Sequence, residues 1–121
     1  MSRSVLLQLA RDSIEEVFHA KRSIDKNALL KLHPLLNEKI QTTVNLFINK
    51  ELKGSYTTQN SEESLINNII LCAKKAAFEN TTNSVLKTSE YLHCDIELLL
   101  DTPEGQISES DTAIIGNALK A

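Results

Sequence analysis

Aromatic residues and clusters of positive charge are both scarce in this sequence. It has no tryptophan, two tyrosines and three phenylalanines among 121 residues, so few side chains are available to stack on bases. Lysine and arginine group no further than pairs such as Lys21-Arg22 and Lys74-Lys75, and the net charge is −3. Proteins that bind the phosphate backbone usually carry a basic face. We therefore expect no nucleic-acid partner.

Long apolar runs are also missing. No stretch approaches the roughly 18 to 20 apolar residues that a membrane-spanning helix needs. The segment 5–10 is largely apolar, but Arg11 and Asp12 follow it at once, which is too early for the apolar region of a secretory signal. We therefore expect a cytoplasmic protein that does not enter a membrane.

The only cysteines are Cys72 and Cys94. In a chain without a secretory signal, two cysteines are more often reduced and buried than joined in a disulfide. No CxxC or HxxxH spacing is present, and His93 and Cys94 are neighbours on a predicted strand, where successive side chains point to opposite faces. We expect no metal site and no cofactor.

What the sequence does contain is typical of one small globular domain with several helical segments. Hydrophobic residues make up 41% and charged residues 24% of the chain. The spacing of apolar residues predicts a helix over Arg3–Ala20, a short helix over Lys26–Leu32 capped by Asp25, and a core helix that starts at Asn60 or Ser61 and runs to Phe78. The first helix has an apolar stripe of Leu6, Leu9, Ala10, Ile14, Val17 and Phe18, and an opposite polar face of Arg11, Asp12, Glu15 and Glu16.

Strand patterns lie between and after these helices. The alternating residues Val44, Leu46 and Ile48 predict one arm of a β-hairpin, and the segment 52–58 predicts the other. Gly54 within the second arm indicates a β-bulge or a close approach of another backbone. Strict alternation over Leu92–Leu100 predicts a further strand, whereas the segment 107–121 suits a strand or a helix. We predict an α+β fold, with a small antiparallel or mixed sheet packed against two to three helices.

The order of these segments resembles the AMMECR-like domain family, which is named for a human deletion-syndrome candidate protein. The similarity rests on short matching segments spread from Leu6 to Pro103, including Leu6–Arg11, Thr43–Leu46, Glu51–Ser55, Ala76–Phe78 and Ile96–Leu98. Bacterial and archaeal members of this family occur in a gene set with a Memo-like protein and a radical-SAM enzyme. The resemblance implies a single AMMECR-like α+β domain over residues 1–121 that lacks the family's C-terminal portion.

The family's LRGCIG motif falls on the second arm of the predicted hairpin. Leu52 and Gly54 are kept, and Lys53 replaces the motif's arginine. Ser55 stands where the family has cysteine, and Thr57 stands where it has its second glycine. The family has no established reaction, so the resemblance implies a fold more than an activity.

Ser55 is a weak candidate for a catalytic nucleophile. A serine nucleophile needs a general base within hydrogen-bond reach, and His93 or Asp95 would have to approach from a neighbouring strand. The sequence has no GxSxG elbow. A structural role, in which the Ser55 hydroxyl bonds to local backbone groups at a bulge, is the stronger reading.

The same stretch is also a candidate ligand site. A helix that begins near Asn60 would present free N–H groups, which suit a phosphate or carboxylate. Such a site would use Lys53, Gly54, Ser55, Thr57 and Asn60. In the competing interpretation, Asn60 simply caps the helix, and neighbouring glutamates disfavour an anion.

Two functions therefore stay open. The first is a non-catalytic accessory or adaptor domain that binds a protein partner or itself, which requires an exposed apolar patch or a free sheet edge. The second is a small-ligand binder or enzyme with its site around Lys53–Asn60, which requires a pocket of convergent polar groups. The altered motif favours the adaptor.

Overall fold

A computed structural model describes residues 4–58, 63–82, 84–102 and 104–111. The helices are α1 (Val5–His19), α2 (Lys26–Leu32), α3 (Leu65–Phe78) and α4 (Thr88–Tyr91), and the strands are β1 (Gln41–Ile48), β2 (Glu51–Thr57), β3 (Cys94–Thr102) and β4 (Gly105–Asp111). A 3-10 turn at Pro34–Asn37 joins α2 to β1. The strands form one antiparallel sheet in the order β2-β1-β3-β4, with α1 and α3 against one face. The predicted α+β fold is confirmed.

The β1–β2 hairpin closes with a tight turn, and its second arm has the bulge that the sequence indicates. Asn49 and Lys50 both have positive φ angles, 53° and 68°, which suit a two-residue hairpin turn. The register between β1 and β2 shifts by one residue at this point. Leu46 pairs with Gly54, but the next residue of β1, Phe47, pairs with Leu52. Lys53 is therefore the extra residue of a β-bulge.

Gly54 also lies in close contact with α3. A Cβ atom at this position would overlap the carbonyl oxygen of Ala76 and would lie 3.2 Å from the carbonyl oxygen of Asn80. The backbone of β2 can approach α3 this closely only because residue 54 has no side chain. Both features that the sequence indicates for Gly54 are thus confirmed.

α1 is confirmed as a helix, but its predicted polar face is wrong at Arg11. The helix starts after Ser4, whose Oγ accepts a hydrogen bond from the Leu7 amide at 3.2 Å. Arg11 is completely buried: its Nε donates to Asp111 Oδ2 at 2.6 Å and its Nη2 donates to the Cys94 carbonyl at 3.0 Å. α1 packs against β4 as well as α3, so a side chain that the helical pattern assigns to solvent meets a carboxylate from the far end of the chain.

The other helix boundaries are partly as predicted. Asp25 caps α2, with its Oδ1 accepting from the Ala28 amide at 3.1 Å, but Leu32 is 73% exposed and not part of the core. The predicted start of the third helix, Asn60 or Ser61, lies outside the described residues. α3 begins at Leu65 after Ser64, which pairs with Lys39 as an isolated β-bridge, so the sequence placed this N-terminus too early.

The second half of the sheet follows the alternating pattern closely. β3 starts at Cys94, slightly later than the predicted Leu92, and its residues alternate between buried and half-buried through Leu100. β4 resolves the ambiguous C-terminal segment as a strand as far as Asp111. Across the described ranges, no helix has both the length and the apolar content to span a membrane.

Candidate functional site

The strand β2, which carries the predicted site, sends its side chains to different parts of the molecule. Lys53 lies against α4 and Gly54 against α3, while Ser55 and Thr57 bond to side chains of β1. Alternation along a strand puts Gly54 and Ser55 on opposite faces of the sheet. Asn60, the remaining predicted ligand residue, lies outside the described residues. The structure therefore does not bring the four described candidates together around one point.

Lys53 is a buried partner of α4. Its side chain is 8% exposed, and its Nζ lies 3.4 Å from both carboxylate oxygens of Glu90. Glu90 Oε1 also accepts from the Lys87 amide at 3.0 Å. The Lys87 amide first, and then Lys53, lower the pKa of Glu90 below its usual value despite partial burial. Lys53 thus joins the bulge of β2 to the start of α4.

Ser55 belongs to a polar row that crosses three strands. Its Oγ donates to Asn45 Oδ1 at 2.5 Å, and Asn45 Nδ2 donates to Glu97 Oε1 at 2.9 Å. An asparagine side chain can accept this hydrogen bond, but it is too weakly basic to remove the proton from a serine hydroxyl at neutral pH. Asn45 therefore cannot act as a general base. Sequence reasoning missed the role of Asn45, because only the register between β1 and its two neighbours places these side chains side by side.

The nucleophile hypothesis requires His93 or Asp95 beside Ser55, and the order of strands does not place either residue there. The strand beside β2 is β1, and β3 lies beyond it. Asp95 of β3 pairs with Phe47 of β1, and His93 lies just before β3 in the chain. The order of strands therefore separates the serine from both proposed bases.

The face of the sheet away from α1 and α3 is left uncovered by the described helices. Thr57 lies on it, with its hydroxyl 2.8 Å from that of Thr43. We define the open face by its half-buried and exposed side chains, which are Gln41, Thr43, Asn45, Phe47, Leu52, Ser55, Thr57, Asp95, Glu97, Leu99, Asp101, Gln106, Ser108 and Ser110. It is mainly polar, with three large apolar side chains.

The two edges of the sheet differ. Residues 80–82 run along the outer edge of β2, where the Ser55 amide donates to the Asn80 carbonyl at 3.2 Å and the Thr82 amide donates to the Lys53 carbonyl at 2.9 Å. A β-bridge between Gly54 and Thr81 continues this contact. No described segment pairs with the outer edge of β4. The sheet thus has one covered edge and one edge that is uncovered within the described residues.

The two cysteines are free and buried, as the sequence predicts. Burial raises the pKa of Cys72 to about 12 and that of Cys94 to about 11. Both thiols are therefore neutral at physiological pH and are poor nucleophiles. Among the described residues, no three His, Cys, Asp or Glu side chains cluster closely enough to hold a metal ion.

The surface also has a shallow depression beside the β1–β2 turn, of about 430 Å³. It is lined by Ile48, Asn49, Ser89, Glu90 and His93. Of the predicted site residues, only Lys53 approaches it, through the carboxylate of Glu90. The sequence gives no local signal for this depression, because its walls come from a hairpin turn and a helix about 40 residues apart in the chain.

Comparison with solved structures finds the same fold in a protein described only as uncharacterised. A crystal structure from Pyrococcus horikoshii matches with a TM-score of 0.70 and 24% sequence identity. The match covers 81% of this chain and 50% of the archaeal one, so this chain spans about half the length of that relative.

Comparison of the sequence with family models agrees with this similarity in fold. No curated protein matches the chain significantly. The AMMECR1 family model, however, matches residues 7–117, nearly the whole sequence, which confirms the resemblance seen in the sequence. This protein belongs to the AMMECR1 family.

Proposed function

We propose that this domain is a non-catalytic adaptor that acts through protein–protein contacts made by its open face and by the adjoining edge of β4. The observation that carries this proposal is the outer edge of β4, with which no described segment pairs. A strand edge presents unpaired N–H and C=O groups that readily pair with another chain, so natural proteins usually cover or guard it. The same sheet already shows such a cover, the segment 80–82 along β2.

The contacts of the motif residues support the same proposal. To bind an anion, Lys53 would have to break its ion pair with Glu90, in which the lysine side chain is buried. For Ser55 to act as a nucleophile, it would have to leave Asn45 and find a base that β1 now separates from it. Both side chains thus have structural partners in place of a ligand. Two free, buried cysteines also suit a cytoplasmic setting, where thiols stay reduced.

Site-specific crosslinking would test the adaptor function in the cells that make the protein. A photoreactive residue is placed in the full chain at Ser108 on β4, at the exposed Leu32 on α2, and at Lys50 in the hairpin turn as a control. We expect a discrete protein adduct from Ser108, and its partner, once purified, should bind the purified domain directly. A specific adduct from Leu32 alone would still support an adaptor, with a different surface.

Thermal unfolding with added ligands would test the competing function, a small-ligand binder or enzyme. The purified chain is melted with a panel of nucleotides, simple acids and S-adenosylmethionine, alongside Lys53→Ala and Ser55→Ala. A ligand at a hundred times its Kd adds about 2.7 kcal/mol of stability, which raises Tm by several degrees. A ligand-induced shift that disappears in Lys53→Ala, together with no specific adduct at any position, would overturn the adaptor proposal.

A further inference from the structure

We infer that the outer edge of β4 binds an extended segment of a partner protein that carries lysine or arginine, and that this segment joins the sheet as a fifth strand. The inference rests on the proposed adaptor function and adds the chemistry of the partner to it. Three features of the β3–β4 hairpin support it: the regularity of the edge, its charge, and the side chains beside it.

The edge is long and regular enough to accept a strand. β4 has seven residues and pairs with β3 without a register shift from Gly105 to Asp111. Hydrogen-bonded and non-bonded pairs alternate in an antiparallel ladder, and this hairpin closes on Thr102 and Gly105. The amides of Gln106, Ser108 and Ser110 therefore point away from β3, toward an incoming strand. β4 contains neither the proline nor the lysine that often guards an edge.

The charge of this hairpin is entirely negative. Residues 94–111 include six carboxylates and no lysine or arginine, the carboxylates being Asp95, Glu97, Asp101, Glu104, Glu109 and Asp111. Two of them face α1 and are bonded there: Ser4 Oγ donates to Glu109 Oε1 at 2.6 Å, and Arg11 bonds to Asp111. Among the described residues, no lysine or arginine pairs with Glu97, Asp101 or Glu104, and these three carboxylates give a field that attracts a basic segment and repels an acidic one.

The side chains next to the edge indicate which contacts would recognise a basic segment. On the open face, Ser110 pairs with Glu97 and Gln106 pairs with Asp101. Strands lie about 4.8 Å apart, so a lysine or arginine on a fifth strand can extend across the small Ser110 and reach the Glu97 carboxylate. On the other face, Ile107 is 50% exposed and offers an apolar contact. The edge thus suits a segment that alternates basic and apolar residues.

The same charge argues against a second copy of this chain at the edge. Pairing of β4 with β4 would set two acidic hairpins side by side, and like charges across neighbouring strands destabilise a sheet. Strand addition by a partner segment gives its main affinity through backbone hydrogen bonds and its specificity through alternate side chains. A basic segment from another protein satisfies both requirements.

Two synthetic peptides would test this inference on the full chain. One alternates lysine and valine over eight residues, and the other alternates glutamate and valine. Amide chemical shifts locate binding, and fluorescence anisotropy measures Kd at two salt concentrations. We expect only the basic peptide to bind, with shifts at Gln106, Ser108 and Ser110, and to bind more weakly at higher salt.

Variants separate the backbone contribution from the charge contribution. Ser108→Pro removes one outward amide and should abolish binding, whereas Ser108→Ala keeps that amide and should bind as the wild type does. The pair Glu97→Gln and Asp101→Asn should raise Kd at least about tenfold, while the exposed Glu51→Gln should leave it unchanged. If Ser108→Pro does not fold, the charge variants and the shift map still decide the result.

The inference fails if both peptides bind equally, if neither binds, if the shifts map to α2, or if the chain dimerises through β4 without peptide. These failures are distinct from failure of the adaptor function. A specific protein adduct from Leu32, with no peptide binding at β4, would remove the inference and leave the adaptor. A ligand-induced shift that disappears in Lys53→Ala, together with no specific adduct and no peptide binding at β4, would remove both.

Discussion

The two edges of this sheet are protected in different ways. Residues 80–82 cover the edge of β2 with backbone hydrogen bonds to Lys53 and Ser55. β4 instead is tied down by side chains on its helix-facing side, where Arg11 and Ser4 bond to carboxylates of β4. The first arrangement uses the strand's outward backbone groups, whereas the second leaves them unpaired within the described residues. A strand can thus be firmly attached to a domain through its side chains without using the backbone groups of its outer edge.

Amide hydrogen exchange should show the largest difference between the two edges. We expect the Ser108 amide to exchange at close to the rate of an unfolded peptide, because its hydrogen points away from β3 and no described segment pairs with that edge. The Ser55 amide, bonded to Asn80, should exchange at least about a hundredfold more slowly. Exchange measured by NMR on the free chain would show this directly. Equal protection of the two amides would mean that the edge of β4 is also covered.

Loss of the Arg11 side chain should have the largest effect on stability. Arg11→Met removes a buried guanidinium from Asp111 and the Cys94 carbonyl, and we expect a loss of about 3–5 kcal/mol in the free energy of unfolding. Lys74→Met is the matched control. Lys74 also pairs with a carboxylate of α1, Glu16, but is 35% exposed, and its loss should cost about 1 kcal/mol or less. Urea denaturation of both variants would test the contrast, and equal losses would contradict it.

A side chain at Gly54 should disturb the covered edge. Gly54→Ala forces a methyl group onto the Ala76 carbonyl, and because neither backbone moves easily, we expect a loss of about 2 kcal/mol. Thr57→Ala, farther along β2 and exposed, should cost less than about 1 kcal/mol. Thermal or urea unfolding would compare them. A Gly54→Ala variant as stable as the wild type would show that β2 and α3 can separate freely.

Neutralising Glu90 should have the smallest effect, and one that depends on pH. Glu90→Gln removes the negative partner of Lys53 and should cost about 1 kcal/mol at pH 7. The pKa of Glu90 is lowered in the folded state, so its charged form stabilises the fold above the pKa of the unfolded chain. This contribution is lost as the pH falls through the lower, folded-state pKa. The two proteins should therefore converge in acid, whereas a constant difference would argue against an ionic contribution.

The sequence predicted well whatever depends on neighbouring residues. The Asp25 cap, the bulge beside Gly54 and the alternation of β3 all follow from spacing within a few positions, and the structure confirms each. The start of α3 was predicted less well. Helix-start signals near Asn60 compete with Ser64, whose bridge to Lys39 depends on a residue in a different part of the chain.

The candidate site shows the same limit. Lys53, Gly54, Ser55 and Thr57 are consecutive or nearly so, and their polar character suggested a shared pocket. Local spacing does not show that Lys53 would pair with Glu90 or that Ser55 would form a hydrogen bond with Asn45, because each partner lies on another element. The resemblance identified the family correctly and assigned no chemistry to these positions.

The sequence by itself determined the family and most of the helices and strands, because repeated spacings of apolar residues and a few capping and glycine positions are enough to define them. Tertiary structure alone decided the strand order, the burial of Arg11 beside Asp111, and which edge of the sheet is covered. Each of these depends on contacts between residues far apart in the chain. Such contacts form only when the whole core assembles, and no local pattern records them.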